Sequence, residues 1–168
     1  IGFGAKYFGA CNSTGILAGK TDLVEAAFMH SFIGFETGDY ETLGRPLKLD
    51  RQEIVAVTVA LKEWLALDHE ARISEHWIKA DRIIEALSGI PNIEVERHVE
   101  DNSLSNGVML TLREDALGKT AAGVVDALKE GDPGIWTRST QSRIRIAVAH
   151  LIEDEVEIVI ERLRVLLR

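Results

Sequence analysis

The chain carries one lysine in an unusual setting near its start. Lys6 lies in the segment Gly4–Ala10, where Gly4 and Ala5 precede it, and Gly9 and Ala10 follow after two aromatic residues. A lysine amine that is partly desolvated loses its proton near neutral pH and can then attack an aldehyde to form a Schiff base. Small neighbours would let an aldehyde approach closely. The alternative for this segment is an ordinary solvated lysine in a glycine-rich loop.

Two further cations stand close together ahead of a predicted helix. Arg45 and Lys48 are three residues apart, and Asp50 follows as a candidate helix cap. Cations at this spacing can lie on one side of the chain and clamp a phosphate or carboxylate, the arginine through two hydrogen bonds and the lysine as a point charge. The alternative is a solvated arginine beside a lysine that pairs with Asp50.

The elements that would position these residues begin with short ones. The apolar run Ser13–Ala18, bounded by glycine, predicts a strand, and Asp22 starts a helix that ends at Met29. From His30 to Gly44 the pattern is interrupted by glycines, aromatic residues and acids, which predicts a long loop. Loops of this length in compact domains are often functional.

Two amphipathic helices follow. Asp50 and Glu53 form a capping-box pattern, and apolar residues then recur at helical spacing through Leu65. A second helix is predicted from Glu70 to Leu87, and Gly89 with Pro91 beyond it ends the pattern.

The remainder alternates strands and helices. Apolar residues change to a period of two, which predicts strands, and then return to helical spacing twice. The predicted elements are strands at Ile93–Val99 and Val108–Leu112 joined by the polar turn Asp101–Ser103, a helix at Thr120–Lys129, a turn at Asp132–Gly134, strands at Ile135–Thr137 and Ile144–Val148, and a last helix behind the acidic residues Glu153–Glu155. This order predicts an α+β domain, an antiparallel sheet with helices on one face.

Several motifs follow one another in an order that resembles a known enzyme family. After Lys6 come the glycine-bounded strand, then Gly19-Lys20-Thr21-Asp22-Leu23, and then Arg45-Pro46-Leu47-Lys48. This series resembles the family of selenocysteine synthase (L-seryl-tRNA selenium transferase), and among its bacterial relatives the enzymes similar to D-glucosaminate-6-phosphate ammonia-lyase. These are fold type I enzymes that use pyridoxal 5'-phosphate.

The resemblance implies a domain organisation. Residues 1–49 would be the end of the cofactor-binding large domain with its linker loop, and residues 50–168 the small α+β C-terminal domain. The chain begins at Ile1 without methionine, and the large domain of these enzymes lies upstream of the lysine. We therefore expect a C-terminal portion of a longer enzyme, inactive by itself.

The resemblance also implies roles for individual residues. Lys6 would be the Schiff-base lysine and the base that moves the substrate α proton, and Asn12, Ser13 and Thr14 would offer donors to the cofactor phosphate. For these three the alternative is simple turn chemistry. The residues that would bind an anionic amino substrate are Arg45, Lys48 and Arg138. The implied reaction is an elimination or replacement on an amino acid or amino sugar acid.

Composition narrows the remaining classes. A net charge of -8 argues against a general nucleic-acid surface, because neutralising phosphates requires a basic field. The single cysteine, Cys11, excludes an intrachain disulfide and suits a reducing cytoplasm. No apolar run is long enough to span a bilayer, and the histidines and cysteine lack the spacing of metal ligands. We expect a cytoplasmic homo-oligomer; the alternative function is a stand-alone α+β interaction or regulatory domain.

Overall fold

The computed structural model describes residues 1–38, 42–99 and 106–168. The chain forms two compact units, Ile1–Leu67 and Asp68–Arg168. The first of these units includes the helix that follows Asp50, which packs with the elements before it. The domain boundary between residues 49 and 50 stays a prediction.

The first unit is built from short elements and one long helix. Strand β1 pairs with β2 in antiparallel register, with Phe3 opposite Ile16, and a 3₁₀ turn at Ala5–Phe8 lies between the two strands. The elements are β1 (Gly2–Gly4), β2 (Gly15–Leu17), α1 (Thr21–Met29), α2 (Phe32–Thr37) and α3 (Arg51–Ala66), with a second 3₁₀ turn at Arg45–Leu47.

The predicted loop from His30 to Gly44 was wrong over Phe32–Thr37, which is helix α2. The Ser31 hydroxyl caps this helix by accepting a hydrogen bond from the Gly34 amide at 3.2 Å. Gly34 has poor helix propensity, which hid the helix in the sequence, but a Cβ there would lie 2.4 Å from the Phe28 carbonyl oxygen. Tertiary packing thus requires the glycine that made the segment look irregular. Residues 39–41 of the predicted loop lie outside the described residues.

Of the capping box predicted for α3, the contact made by the Glu53 side chain is confirmed. The Asp50 amide donates to Glu53 Oε2 at 3.1 Å, and the Glu53 amide donates to the backbone carbonyl of Asp50 at 3.1 Å. This arrangement satisfies donors that the first turn of a helix leaves without intrahelical partners.

The second unit contains one four-stranded antiparallel sheet in the order β3-β4-β6-β5. Its elements are α4 (His69–Leu87), β3 (Ile93–Val99), β4 (Asn106–Leu112), α5 (Glu114–Leu117), α6 (Ala121–Lys129), β5 (Arg138–Thr140), β6 (Arg143–Ala147) and α7 (Glu153–Leu167). The predicted turn Asp101–Ser103 lies outside the described residues.

The core lies between one face of this sheet and the helices. Alternate residues of the central strands β4 and β6, such as Leu110 and Ile144, are fully buried and form one cluster with Ile83 of α4, Leu128 of α6 and Leu163 of α7. The α+β arrangement with helices on one face of an antiparallel sheet is therefore confirmed. Within the described parts of the chain, no helix has the length and apolar character needed to cross a membrane.

One predicted strand was wrong. Ile135–Thr137 is not a strand, and β5 instead begins at Arg138. The Ile135 amide donates to the carbonyl of Leu128 at 2.9 Å, and the Thr137 hydroxyl donates to the carbonyl of Arg145. These contacts tie the segment to α6 and to the edge of the sheet, so β5 starts only after them.

Candidate active site

Lys6 lies on the 3₁₀ turn Ala5–Phe8, whose first residue, Ala5, is fixed by burial and a backbone hydrogen bond. Ala5 is fully buried, and its amide donates to the carbonyl of Thr14 at 3.0 Å. Gly9 ends the turn at a φ of 94°, a left-handed conformation that glycine adopts without strain. The backbone that carries Lys6 is therefore fixed at both ends.

The amine of Lys6 is open to solvent. The residue is exposed, and its Nζ lies 5.1 Å from the centroid of the Tyr7 ring. The sequence argument expected partial desolvation of this amine, which would favour its neutral form. The described residues of this chain do not supply that desolvation.

An apolar cavity lies against the Lys6 turn within the first unit. It has a volume of about 530 Å³, and Tyr7 and Phe8 of the turn line it together with Phe3 and Trp64. The rings of Phe8 and Trp64 are 6.5 Å apart between centroids and tilted. Helix α3 therefore supports the turn through Trp64 near its C-terminal end.

The polar turn after Lys6 uses its two hydroxyl groups internally. Thr14 is buried, and its Oγ1 donates to the carbonyl of Cys11 at 2.6 Å. The Ser13 hydroxyl donates to Glu53 Oε1 at the start of α3. A serine or threonine hydroxyl has one proton to donate. In this conformation, therefore, neither hydroxyl has a proton left for a phosphate, whereas the exposed Asn12 carries a side-chain amide with two donors.

Glu53 has two functions at once, and the sequence revealed only one of them. One carboxylate oxygen caps α3 and the other accepts the Ser13 hydroxyl. The Ser13 hydrogen bond, and next that of the Asp50 amide, lowers the pKa of Glu53 from its ordinary value, because both favour the charged carboxylate. The spacing of Asp50 and Glu53 signalled the cap, but no local pattern signals a partner forty residues away.

Arg45 and Lys48 are brought together over one face of helix α2. The Arg45 guanidinium lies 5.5 Å from the centroid of the Phe35 ring, and Lys48 Nζ lies 4.9 Å from that of Phe32. The two rings are three residues apart on α2, and the two cations are also three residues apart. The first cation lies over the second ring and the second cation over the first ring. Residues three apart on a helix are neighbours on its surface.

Arg45 also has an acidic partner. Its Nη1 lies 2.9 Å from Glu36 Oε1, and the two side chains are 68% and 45% exposed. Both contacts, with Glu36 and Phe35, are with helix α2. An anion that binds Arg45 in this position competes with Glu36.

A glycine permits the close packing of this segment. A Cβ at Gly44 would lie 1.9 Å from the carbonyl oxygen of Ser31 and 2.8 Å from that of His30. Any other residue at this position would push the Arg45 turn away from the loop before α2.

Arg138 lies in the second unit, at the start of the edge strand β5. It stands directly opposite Arg145 of β6, and both line a cavity of about 280 Å³ together with Trp136 and Thr137. Arg143 and Arg145 share one face of β6, because they alternate with the buried residues Ile144 and Ile146. Both side chains that line the cavity, Arg138 and Arg145, are cationic, so the cavity would attract an anionic group.

Within residues 1–38, 42–99 and 106–168, no group of three or more histidine, cysteine, aspartate or glutamate residues is placed to hold a metal ion.

Comparison with known proteins supports the fold more strongly than the activity. No family model matches the chain. The structure of D-glucosaminate-6-phosphate ammonia-lyase is similar with a TM-score of 0.66 at 18% identity, over 97% of this chain and 42% of that one. A complex of SepCysS with the N-terminal domain of SepCysE contains a chain similar with a TM-score of 0.54 at 15% identity, over 95% and 42%.

The fold is that of the C-terminal portion of a fold type I pyridoxal-phosphate enzyme. This confirms the predicted fold class. A curated protein from Streptomyces sp., 5'-C-glycyluridine monooxygenase-decarboxylase, is 26% identical over 168 residues, which are 98% of this chain and 40% of the relative. The chain thus spans less than half the length of each of these three proteins.

Proposed function

We propose that this chain is the C-terminal portion of a pyridoxal-phosphate-dependent lyase or transferase that acts on an amino acid or amino sugar acid. The observation that carries the proposal is the position of Lys6, on a turn fixed by Ala5 and Gly9. The likeness of the whole chain to an ammonia-lyase of amino sugar phosphates supports this proposal.

The residues around Lys6 fit the cofactor in part. Lys6 is accessible, and Asn12 offers exposed amide donors to a phosphate. The hydroxyls of Ser13 and Thr14 fit less well, because one donates to a carboxylate and the other is buried on a backbone carbonyl. We propose that Lys6 and Asn12 contact the cofactor, while Ser13 and Thr14 donate to its phosphate only if their present partners are released.

Pyridoxal phosphate, when bound, accepts the electrons released at the substrate carbon that carries the amino group. The contribution of Lys6 is to remove or return the proton at that carbon, which requires its amine within hydrogen-bond reach of that proton. Arg45 and Lys48 would hold an anionic group of the substrate, a carboxylate or a phosphate, and Arg138 a second one. Binding at Arg45 would replace its ion pair with Glu36.

The substrate would be a small molecule, and we propose a cytoplasmic homodimer or larger assembly as the working form. These two statements rest on the resemblance stated above.

A second candidate reaction comes from the Streptomyces relative, whose name describes oxygenation with decarboxylation of a glycyl-substituted uridine. We propose it as the alternative because its similarity extends over 98% of this chain. The two candidates differ in their products: elimination from an amino sugar acid releases ammonia, whereas decarboxylation releases carbon dioxide. Incubation of the full-length protein with each substrate class, with both gases quantified, would decide between them.

The central test concerns the cofactor. The full-length protein that contains these residues should bind pyridoxal phosphate with the yellow absorbance of a Schiff base. Borohydride reduction followed by peptide mapping should place the label on Lys6, and Lys6→Ala should abolish both the label and the activity.

The matched control is Lys20→Ala, because Lys20 is an exposed lysine of the same unit at the start of α1. This variant should retain the absorbance. A label on any other lysine would overturn the assignment of Lys6. A protein that shows no cofactor absorbance would favour the reading of the chain as an interaction or regulatory domain.

A further inference from the structure

We infer that Glu53 is a positioning residue for Lys6, acting through Ser13 and the turn that ends at Thr14. The inference rests on the proposed function in taking Lys6 as the reactive lysine. It adds a residue that lies on a different element and that no sequence motif connects with Lys6.

The first step is the division of the Glu53 carboxylate between two elements. Oε2 accepts the Asp50 amide at 3.1 Å and fixes the start of α3, while Oε1 accepts the Ser13 hydroxyl. A hydrogen bond to an ionised carboxylate is roughly twice as strong as one between neutral groups. The helix start and the polar turn are therefore joined through one side chain.

The second step leads from Ser13 to Lys6. Thr14, the next residue, is buried and makes two hydrogen bonds to the carbonyl of Cys11, from its amide at 3.2 Å and from its hydroxyl at 2.6 Å. Its own carbonyl accepts the Ala5 amide at 3.0 Å. Ala5 immediately precedes Lys6, so the backbone position of the lysine depends on the turn that Ser13 and Glu53 hold against α3.

The same geometry assigns Ser13 a role other than phosphate binding. Its proton is directed at Glu53, and a carboxylate beside a phosphate would repel it. Ser13 and Glu53 together therefore set the position of the turn, and the exposed Asn12 remains to contact an anion.

The chain contains a matched control for the capping function alone. At the start of α7, Glu155 Oε2 accepts the amide of Ile152 at 3.0 Å, the same cap contact that Glu53 makes at α3. In the described structure, the Glu155 carboxylate makes no hydrogen bond to a serine. Glu155→Ala therefore removes a helix cap without removing a tie to a turn.

The first experiment measures amide hydrogen exchange in the full-length protein that contains these residues, prepared without cofactor. Ser13→Ala and Glu53→Ala should each raise the exchange rates of the Ala5 and Thr14 amides by about fivefold or more, because each removes the hydrogen bond that holds the turn against α3. Amide exchange in the double variant should be no faster than in the single variants, because both substitutions remove the same contact. Glu53→Gln should restore part of the protection, since its amide oxygen can still accept from Ser13. Glu155→Ala should leave both amides unchanged.

The second experiment measures borohydride-trapped pyridoxal phosphate on Lys6 in the full-length protein. Ser13→Ala, which leaves the α3 cap intact, should slow incorporation by about threefold or more, a modest part of one charge-assisted hydrogen bond. Glu155→Ala should not change it, and Glu53→Gln should slow it less than Glu53→Ala does.

The outcomes separate this inference from the proposed function. If the unmodified protein carries no label on Lys6, the proposed function fails, while the exchange experiment still tests the tie. If Lys6 is labelled but Ser13→Ala changes neither amide exchange nor the rate of labelling, Glu53 is only a helix cap and the inference is overturned.

Discussion

The two units of this chain differ in how they are stabilised. Asp68–Arg168 has a continuous apolar core in which residues such as Leu110 and Leu163 are fully buried. In Ile1–Leu67 the described buried hydrophobic residues are Ala5 and Ala60, and large side chains such as Leu65 are mostly exposed. Apolar burial is the dominant favourable term in folding, so the second unit has the stronger source of stability.

The difference teaches where the candidate chemistry lies. Except for Arg138, the candidate residues are in the unit with little buried apolar surface, where specific contacts position Lys6, Arg45 and Lys48. These contacts are hydrogen bonds at the polar turn, a helix cap and aromatic rings beneath cations. Such a unit should respond to mutation mainly in function, and the second unit mainly in stability.

The largest expected effect tests the core of the second unit. Leu110→Ala should lower the free energy of unfolding by about 2–5 kcal/mol, because it removes a fully buried side chain and leaves a cavity. Chemical denaturation would measure this loss in the free energy of unfolding, and amide exchange in β4 would locate it in the second unit. Leu65→Ala, at a leucine that is 73% exposed in the first unit, is the control and should change stability by less than about 0.5 kcal/mol. Equal losses for the two variants would remove the contrast between the units.

A second prediction tests whether the first unit responds in function. Arg45→Ala should lower kcat/KM of the full-length protein, with a rise in activation free energy of about 2 kcal/mol or more, the scale of a charge-assisted hydrogen bond. The cofactor absorbance should remain. Glu36→Gln should raise kcat/KM, because it removes the carboxylate that competes with the substrate for Arg45. Arg51→Ala, at an exposed arginine of the same unit, is the control. Unchanged kinetics together with a lower Tm would make Arg45 a structural cation.

The smallest effect concerns pH. Burial lowers the pKa of His76 in α4 from its ordinary value, and the positive charges of Lys79 and Arg72 lower it further. Glu75 raises the pKa, and His150 makes a smaller contribution that lowers it. His76 Nδ1 is buried and has no hydrogen-bond partner among the described residues. The folded state therefore resists protonation of this ring more than the unfolded state does.

The sign of the pH effect follows from this difference. The contribution of His76 is fully present above the ordinary histidine pKa of about 6.5, and stability declines as the pH falls from there through the lowered folded pKa. The decline should appear in amide exchange of α4, and His76→Gln should flatten it. The first unit should instead lose stability in more acidic solution, where Glu53, whose folded pKa is also lowered, takes up its proton. A slope that persists in His76→Gln would assign the effect to another group.

Much of the second unit could be predicted because its patterns are local. Alternation in β3, helical spacing in α4 and α7, and the residues that cap or end these helices all lie within a few positions of one another. The strand expected at Ile135–Thr137 failed for the opposite reason. Its apolar residues suit a strand, but the Ile135 amide donates to Leu128 of α6 and the Thr137 hydroxyl, instead of a backbone amide, donates to Arg145 of β6, so strand pairing begins only at Arg138.

In the first unit the sequence revealed residue types and their order, and less of the geometry. Lys6 between small residues, the polar turn after it and two cations ahead of a capped helix are all visible in the printed chain. Helix α2 was missed, because Gly34 argues against a helix until its contact with the Phe28 carbonyl is known.

The sequence by itself determined the α+β class, the approximate bounds of the long helices and the contact of Glu53 with the Asp50 amide, because each depends on periodicity or on partners a few residues apart. Only the tertiary structure decided that the Ser13 hydroxyl is directed at Glu53, that Arg45 pairs with Glu36, and that Phe32 and Phe35 lie beneath the two cations. The partners in these contacts are separated by between nine and forty residues, or lie on surfaces that packing brings together. No local pattern encodes such a pairing, because it is fixed by where the folded backbone returns.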